Sequence, residues 1–201
     1  MRTPRGLAIL LALSVGLLAG CGESSTAESL SSIIIATPPS GYSPQSVAGG
    51  DSDLSIDDAS SATPADPGTV RTFLQSSSWR GAQIRVWVQA ANYAEDIAFG
   101  FASTSDATRF ESLEVGALKA VPTDYVYSLA PQLPTGQGFI IYSQTRVGGK
   151  NVFCNGAWLS YQDDVFELLT CGATPQDGSL ATSLAVTQLQ RAGGTPGPAP
   201  T

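Results

Sequence analysis

The chain predicts an α+β fold, an antiparallel β-sheet with helices packed mainly on one face, and three observations carry that reading. Only 13% of the residues are charged while 42% are hydrophobic, and 21 Gly and 13 Pro punctuate the chain. Such a balance favours a turn-rich sheet over a helical bundle. Period-two alternation recurs in stretches joined by short turns, which signals antiparallel hairpins. Amphipathic stretches of helical spacing stand before, between and after those strands, as in a domain whose helices are segregated from its sheet. A length of 201 residues suits a single domain with flanking segments.

The amino-terminal flank, residues 1–20, reads as a signal peptide. Arg2 and Arg5 form a positive start, Leu7 to Leu18 is a nearly continuous apolar run, and Leu18-Ala19-Gly20-Cys21 closes it. The run is shorter than the roughly 20 residues a membrane-spanning helix needs. The whole resembles lipoprotein signal peptides and their lipobox, which implies a diacylglycerol on the sulfur of Cys21 and cleavage on its amino side. Two acyl chains, at ~0.8 kcal/mol for each buried CH₂, would hold the protein stably on the extracytoplasmic side of the cell membrane. The membrane is thus the first expected partner. Loss of Arg2 and Arg5 leaves 8 basic against 17 acidic side chains, a net charge of −9. A surface of that sign argues against nucleic acid as a ligand.

Residues 21–29 are small and polar and read as a flexible tether. A single domain is expected over 30–193. It opens with the apolar Leu30 to Ala36, which ends at Thr37-Pro38-Pro39-Ser40-Gly41-Tyr42. Residues 43–69, rich in Ser, Asp, Gly and Pro, are expected to form an extended loop packed at Leu54 and Ile56. Thr69 to Ser77 predicts a short helix with Val70, Phe73 and Leu74 on one side. Ile84, Val86 and Val88 alternate with Arg85, Trp87 and Gln89, and Ile97, Phe99 and Phe101 alternate with Ala98, Gly100 and Ala102. These are two strands. A hairpin turning over 91–95 would set Val86 opposite Phe101, Val88 opposite Phe99 and Trp87 opposite Gly100. Ser103 and Asp106 have the spacing of a capping box and open a helix with Ala107, Phe110, Leu113 and Ala117 inward.

Gly138 to Thr145 predicts a strand, Gly148-Gly149 a turn, and Asn151 to Tyr161 the next strand. Gln162-Asp163 then turns into Val165 to Cys171. With Tyr161 opposite Asp164, Leu159 meets Phe166 and Ala157 meets Leu168, and the same register sets Cys154 across from Cys171. Cysteine arithmetic agrees, because lipidation of Cys21 leaves those two as a pair in an exported chain. A disulfide is expected. Asp177 or Ser179 is placed to cap a last helix to Arg191, with Leu180, Leu184, Ala185 and Leu189 on its apolar side. Residues 194–201 form a Gly/Pro tail expected to be disordered.

From Leu30 onward the chain resembles a group of actinobacterial-type exported lipoproteins. The stretches that carry this are residues 37–42, Phe99 to Leu113, Asp164-Val165-Phe166-Glu167-Leu168 and Gln188-Leu189-Gln190-Arg191-Ala192-Gly193. The layout also resembles the α/β sandwiches of PsbP-like proteins and the extracellular sensor domains of some bacterial kinases. These resemblances imply a cell-envelope binding or accessory role and bring no catalytic residue onto any position here.

The absence of histidine removes Ser-His and Cys-His nucleophile systems and the usual zinc sites. No Ser-x-x-Lys precedes Lys119 or Lys150. Gly41-Tyr42-Ser43-Pro44-Gln45 fails the nucleophile elbow at its last position, and Gly136-Gln137-Gly138 lacks the later glycine of a dinucleotide fingerprint. Asp51-Ser52-Asp53-Leu54-Ser55 begins like a calcium loop, but Ile56 replaces its turn glycine and Ala62 its bidentate Glu. No metal or cofactor is therefore expected. The carboxylate pairs Glu95/Asp96, Asp57/Asp58 and Asp163/Asp164 are expected in turns and loops, where Asp is favoured for backbone reasons. Trp87 and Trp158 project opposite the apolar rows, either as anchors for a ligand or partner surface or as side chains covered by helices or by the 43–69 loop. The leading expectation is a non-catalytic, lipid-anchored envelope protein that binds a small ligand or an envelope protein. Its rivals are a carboxylate-based hydrolase of cell-wall polymers and an accessory subunit of a membrane complex. Two carboxylates converging on one cleft would favour the hydrolase; a shallow apolar pocket would favour binding.

Overall fold

The computed structural model describes residues 29–46, 53–120, 125–128, 138–147, 150–174 and 178–196. The leader, Cys21, nearly all of the tether, Gly148-Gly149, Asp177 and the end of the Gly/Pro tail lie outside the described residues. Along the described chain run α1 (Leu30–Ile33), β1 (Ser43–Gln45), β2 (Asp53–Leu54), α2 (Ile56–Ser61), α3 (Pro67–Ser76), β3 (Trp79–Gln89), β4 (Asn92–Phe101) and α4 (Thr104–Ala120). Then follow β5 (Tyr125–Ser128), β6 (Gly138–Val147), β7 (Lys150–Tyr161), β8 (Asp164–Gly172) and α5 (Ser179–Arg191). The strands form one sheet in the order β1-β3-β4-β8-β7-β6-β5, with β2 paired to β3 beside that path. Each of these pairings is antiparallel, so the α+β class predicted from alternation and short turns is the class observed. Among the described residues no helix is long and apolar enough to cross a membrane.

Helices lie on both faces, unevenly. On one face α2, α3 and α4 bring Ala59, Val70, Leu74, Ala107 and Phe110 against Ala82, Ile84, Ile97, Phe99, Phe101 and Val165. On the other, α5 and the single turn of α1 bring Leu184, Ala185, Leu189 and Ile33 to Ile35 against Trp87, Ala94, Ala98, Ala157, Leu159, Phe166 and Leu168. Most of the helical chain therefore covers one face, and α5 covers the other. Asp66 starts α3 by accepting the Thr69 N–H at 2.8 Å, ahead of Pro67 in the first turn where a missing N–H costs nothing. Gly193, at φ 87°, lets the chain leave α5 while Gly194 N–H reaches back to the Leu189 carbonyl at 2.8 Å.

The β7–β8 pairing is the one expected: Tyr161 faces Asp164, Leu159 faces Phe166, Ala157 faces Leu168 and Cys154 faces Cys171. The two cysteines are joined, with their Cα atoms 4.1 Å apart.

Three expectations are corrected. The β3–β4 hairpin turns at Ala90–Ala91, not over 91–95, so Val86 faces Glu95, Trp87 faces Ala94 and Val88 faces Tyr93. The turn carries no glycine or asparagine as a marker, although Ala90 has φ 53°. The expected and observed registers differ by an even number of residues, which leaves every side chain on its own face. Alternation could not separate them. Residues 43–69 are not an extended loop, because β1, β2, α2 and the start of α3 lie there. Ser55 caps α2 by accepting the Asp58 N–H at 3.2 Å. On α4 the buried side chains are Ala107, Phe110, Glu111, Glu114, Val115 and Leu118, whereas Leu113 and Ala117 are only half-buried. Two glutamates thus occupy the inward stripe. The capping box at its start is half made: Asp106 N–H meets Ser103 Oγ at 3.4 Å, while the Asp106 carboxylate accepts from the N–H and hydroxyl of Ser78.

Candidate functional site

Side chains alternate across a strand, so Glu95 and Asp96 of β4 point to opposite faces. The polar residues of one face converge where α4 meets β4, β8 and β7. Glu167 of β8 lies directly across from Trp158 of β7 and from Ile97 of β4. One step along, Leu169 stands between Glu95 and Gly156. The Trp158 ring folds over Gly156, where a Cβ would overlap it, and packs with Leu118 and Val115 of α4 and with Leu169. A glycine on the strand is what gives the indole room to lie flat.

Against this floor opens a cavity of about 240 Å³, lined by Glu95, Gly156, Trp158, Glu167, Leu169 and Leu118, with Cys154 at one end and residues 62–64 as a further wall. Glu114 of α4 is outside the lining, but its charge acts on Glu167. One of its oxygens accepts the Ala65 N–H at 3.3 Å. Trp158, Glu167 and Glu114 are 3%, 4% and 1% exposed. Among the described residues Trp158 Nε1, Glu167 Oε2 and Glu114 Oε1 make no hydrogen bond of full geometry, although the Trp158 indole and the Thr63 hydroxyl lie close enough to the Glu167 and Glu114 carboxyls to favour their ionised forms. Buried polar atoms without full partners are costly and uncommon, and two of these, Trp158 Nε1 and Glu167 Oε2, belong to side chains that line the cavity.

Burial sets the electrostatics. Loss of water pushes the Glu95 and Glu114 carboxyls up to about 7. Glu167 lies well above the carboxylate range, through burial first and then the charges of Glu95 and Glu114, which the Trp158 indole partly offsets. Tyr93, at the edge of the group, is pushed up to about 12 by burial and by Glu95 and Glu167. Glu111, further along α4, is also raised by burial and is held by the Ser160 hydroxyl at 2.5 Å. No Lys or Arg among the described residues lines the cavity. The arrangement can hold protons or accept hydrogen bonds, and no cationic side chain is in its described lining.

The residues singled out in the sequence are distributed as follows. Trp158 lines the cavity as a buried wall and not as an exposed anchor. Trp87 is 1% exposed beneath α1 and α5 on the opposite face, so the two tryptophans are not parts of one surface and Trp87 is core. Cys154 and Cys171 are joined beside the site. Cys21 lies outside the described residues. Glu95/Asp96 is not in a turn but in the middle of β4, and only Glu95 faces the cavity. Asp57 and Asp58 occupy the first turn of α2. Asp163 and Asp164 sit at the β7–β8 turn, where Arg80 reaches them at 3.1 and 3.2 Å. The stretch resembling a calcium loop holds instead β2 and the Ser55 cap, and Asp53 accepts from Gln83 Nε2 at 2.6 Å. No group of acidic or cysteine side chains among the described residues could hold a metal ion. Glu114 and Glu167 escaped the sequence reading. The signal for Glu114 was the 107–111–114–118 spacing on α4, a helical stripe that carries two glutamates. For Glu167 it was a lone acid within the otherwise buried β8.

No protein-family model and no curated protein matches this chain. Among solved structures it is similar to the extracellular domain of PknH from Mycobacterium tuberculosis, with a TM-score of 0.47 and 9% identity, covering 61% of this chain and 69% of that one.

Proposed function

We propose that this protein is a lipid-anchored component of the bacterial cell envelope whose domain binds a small ligand, without chemistry of its own, in the cavity between Glu95, Glu167 and Trp158. The observation that carries the reading is the cavity itself, with buried polar atoms of Glu167 and Trp158 in its lining that make no hydrogen bond of full geometry among the described residues. Its volume suits a small molecule. The case for the anchor is the sequence Leu18-Ala19-Gly20-Cys21, and the disulfide suits an oxidising compartment.

Two carboxylates on one cavity are also what a polymer hydrolase would need, and that second reading has this observation in its favour. Such enzymes push the two pKa values apart, keeping one carboxylate ionised and the other protonated on opposite sides of the scissile bond. Here Glu95 and Glu167 stand on adjacent strands of one wall, and burial raises both. Binding therefore accounts for the geometry with fewer additions.

A fragment screen against the detergent-solubilised protein, read on the Trp158 indole N–H by NMR, should show small molecules shifting that signal and not the Trp87 signal. Turnover of a cell-wall polymer, abolished by Glu95→Gln or Glu167→Gln, would replace this reading with the hydrolase. For the anchor, intact mass should show a diacylglyceryl group on an amino-terminal Cys21, and Cys21→Ser should leave the chain unprocessed or release it from membranes. An unmodified Cys21 in membrane-derived protein would sink that part.

A further inference from the structure

We infer that the ligand of this cavity is a small primary ammonium compound, an inference that rests on the binding reading above and names its chemical class. The acidic side chains that line the cavity offer acceptors, and once they ionise the described lining offers no cation to balance them, so a cationic ligand is what would complete the ionised site. Glu167 Oε2, of a lining residue, is buried and makes no hydrogen bond of full geometry among the described residues, and an ammonium group brings three N–H donors to such an atom. The ring of Trp158 supplies the third element of a cation site, an aromatic surface beside the carboxylates.

An inorganic ion is the wrong size. The described acidic residues do not gather closely enough to hold a metal, and about 240 Å³ exceeds the ~150 Å³ of a cavity that accommodates benzene. An organic cation of on the order of nine non-hydrogen atoms fits that space. Leu118 and Leu169 would meet its apolar part. An organic anion would be repelled by the glutamates once they ionise, and a chain with net charge −7 attracts cations from a distance.

In the empty site burial favours the protonated carboxyls: Glu95 and Glu114 are pushed up to about 7, and Glu167 is raised by burial and by their charges. An ammonium group favours their ionised forms, so affinity should rise with pH through about 7. The groups that face one another there are Tyr93 and Glu95 from β4, Glu167 from β8, and Glu114 from α4. Glu111 is engaged by Ser160, and β7 brings Cys154 only as a disulfide.

The test compares three probes of one shape, 2-phenylethylammonium, 2-phenylethanol and phenylacetate, on the solubilised full-length protein by NMR at pH 5 and pH 8. The ammonium probe should bind at least tenfold tighter than the alcohol at pH 8, lose that preference at pH 5, and shift the Trp158 indole. Glu167→Gln and Glu95→Gln should each weaken it at least tenfold while leaving weak binding of the alcohol, which reports that the cavity is still formed. Equal or tighter binding of the alcohol or of phenylacetate overturns the ammonium class and leaves the binding reading standing. Silence from all three probes, with fragments of other classes still shifting Trp158, also overturns the class alone. Silence from every compound at Trp158 overturns both.

Discussion

Glu167 is 4% exposed on β8, and the charges that raise its carboxyl, Glu95 and Glu114, are of its own sign. A neutral isostere there would avoid the cost of desolvating a carboxylate. Trp158 stands across from it, and its position depends on the smallest side chain of the sheet. Gly156 has no Cβ, and one added there would overlap the indole. Gly156→Ala should therefore force the ring off its strand and cost about 1–3 kcal/mol, the range of overpacked core sites. Denaturant titration would read the loss, and the cavity wall would move with the ring. Unchanged stability together with an unmoved Trp158 indole signal would show that the close fit is not required. These two residues were individually visible in the sequence, Trp158 as a strand aromatic and Glu167 as a lone acid in a buried run. Their meeting was not.

At the scale of elements, β7 and β8 form the best-specified unit. A two-residue turn with Gln162 at φ 55° sets the register, and every apolar pair follows from it. The disulfide then closes the far end of the same hairpin, 17 residues apart in sequence. In the chain-entropy model a loop of this size contributes ~3 kcal/mol. Replacing both cysteines by serine should lower the unfolding free energy by about that much, and intact protein should show no free thiol at 154 or 171. A double mutant as stable as the parent would mean that the packed hairpin alone constrains the unfolded chain. A second clamp fixes the segment that follows the tether. Ile35 N–H donates to Asp96 at 2.9 Å, Gln188 and Arg191 donate to the Ile33 carbonyl at 2.9 and 3.0 Å, and Arg191 also reaches Ser32. The domain is thus held at its first residues by α5 and by the centre of the sheet. Short turns made β7–β8 legible in advance, whereas the Ala90–Ala91 turn between β3 and β4 carries no marker and left that register open.

Over the whole molecule the buried acids decide how stability depends on pH. Glu95, Asp96 and Glu114 are pushed up to about 7 by burial, and Glu111 and Glu167 are raised by the same cause. The folded state then keeps protons that the unfolded chain releases above the ordinary carboxyl range of about 4. Their contribution is fully present below that range and is lost as pH rises through about 7. Asp66 and Asp106, lowered by hydrogen bonds from Thr69 and Ser78, act in the opposite sense and only at more acidic pH. The urea midpoint should accordingly be higher at pH 5 than at pH 8, and Glu167→Gln should flatten the difference. A midpoint that rises from pH 5 to pH 8 would contradict this burial pattern. The sequence by itself determined what depends on neighbours along the chain: the central stretches of β3, β4, β7 and β8 and their faces, the β6 strand, the α3, α4 and α5 helices, the β7–β8 register and the Cys154–Cys171 pair. Period and turn chemistry are local, so one sequence suffices to read them. Only the tertiary structure decided the β3–β4 register, the inward turn of Glu111 and Glu114, and the pairing of β4 with β8 that brings Glu95 beside Glu167 and Trp158. Those features follow from which distant strands become neighbours and how much volume is left between them and α4, and no local pattern encodes a volume.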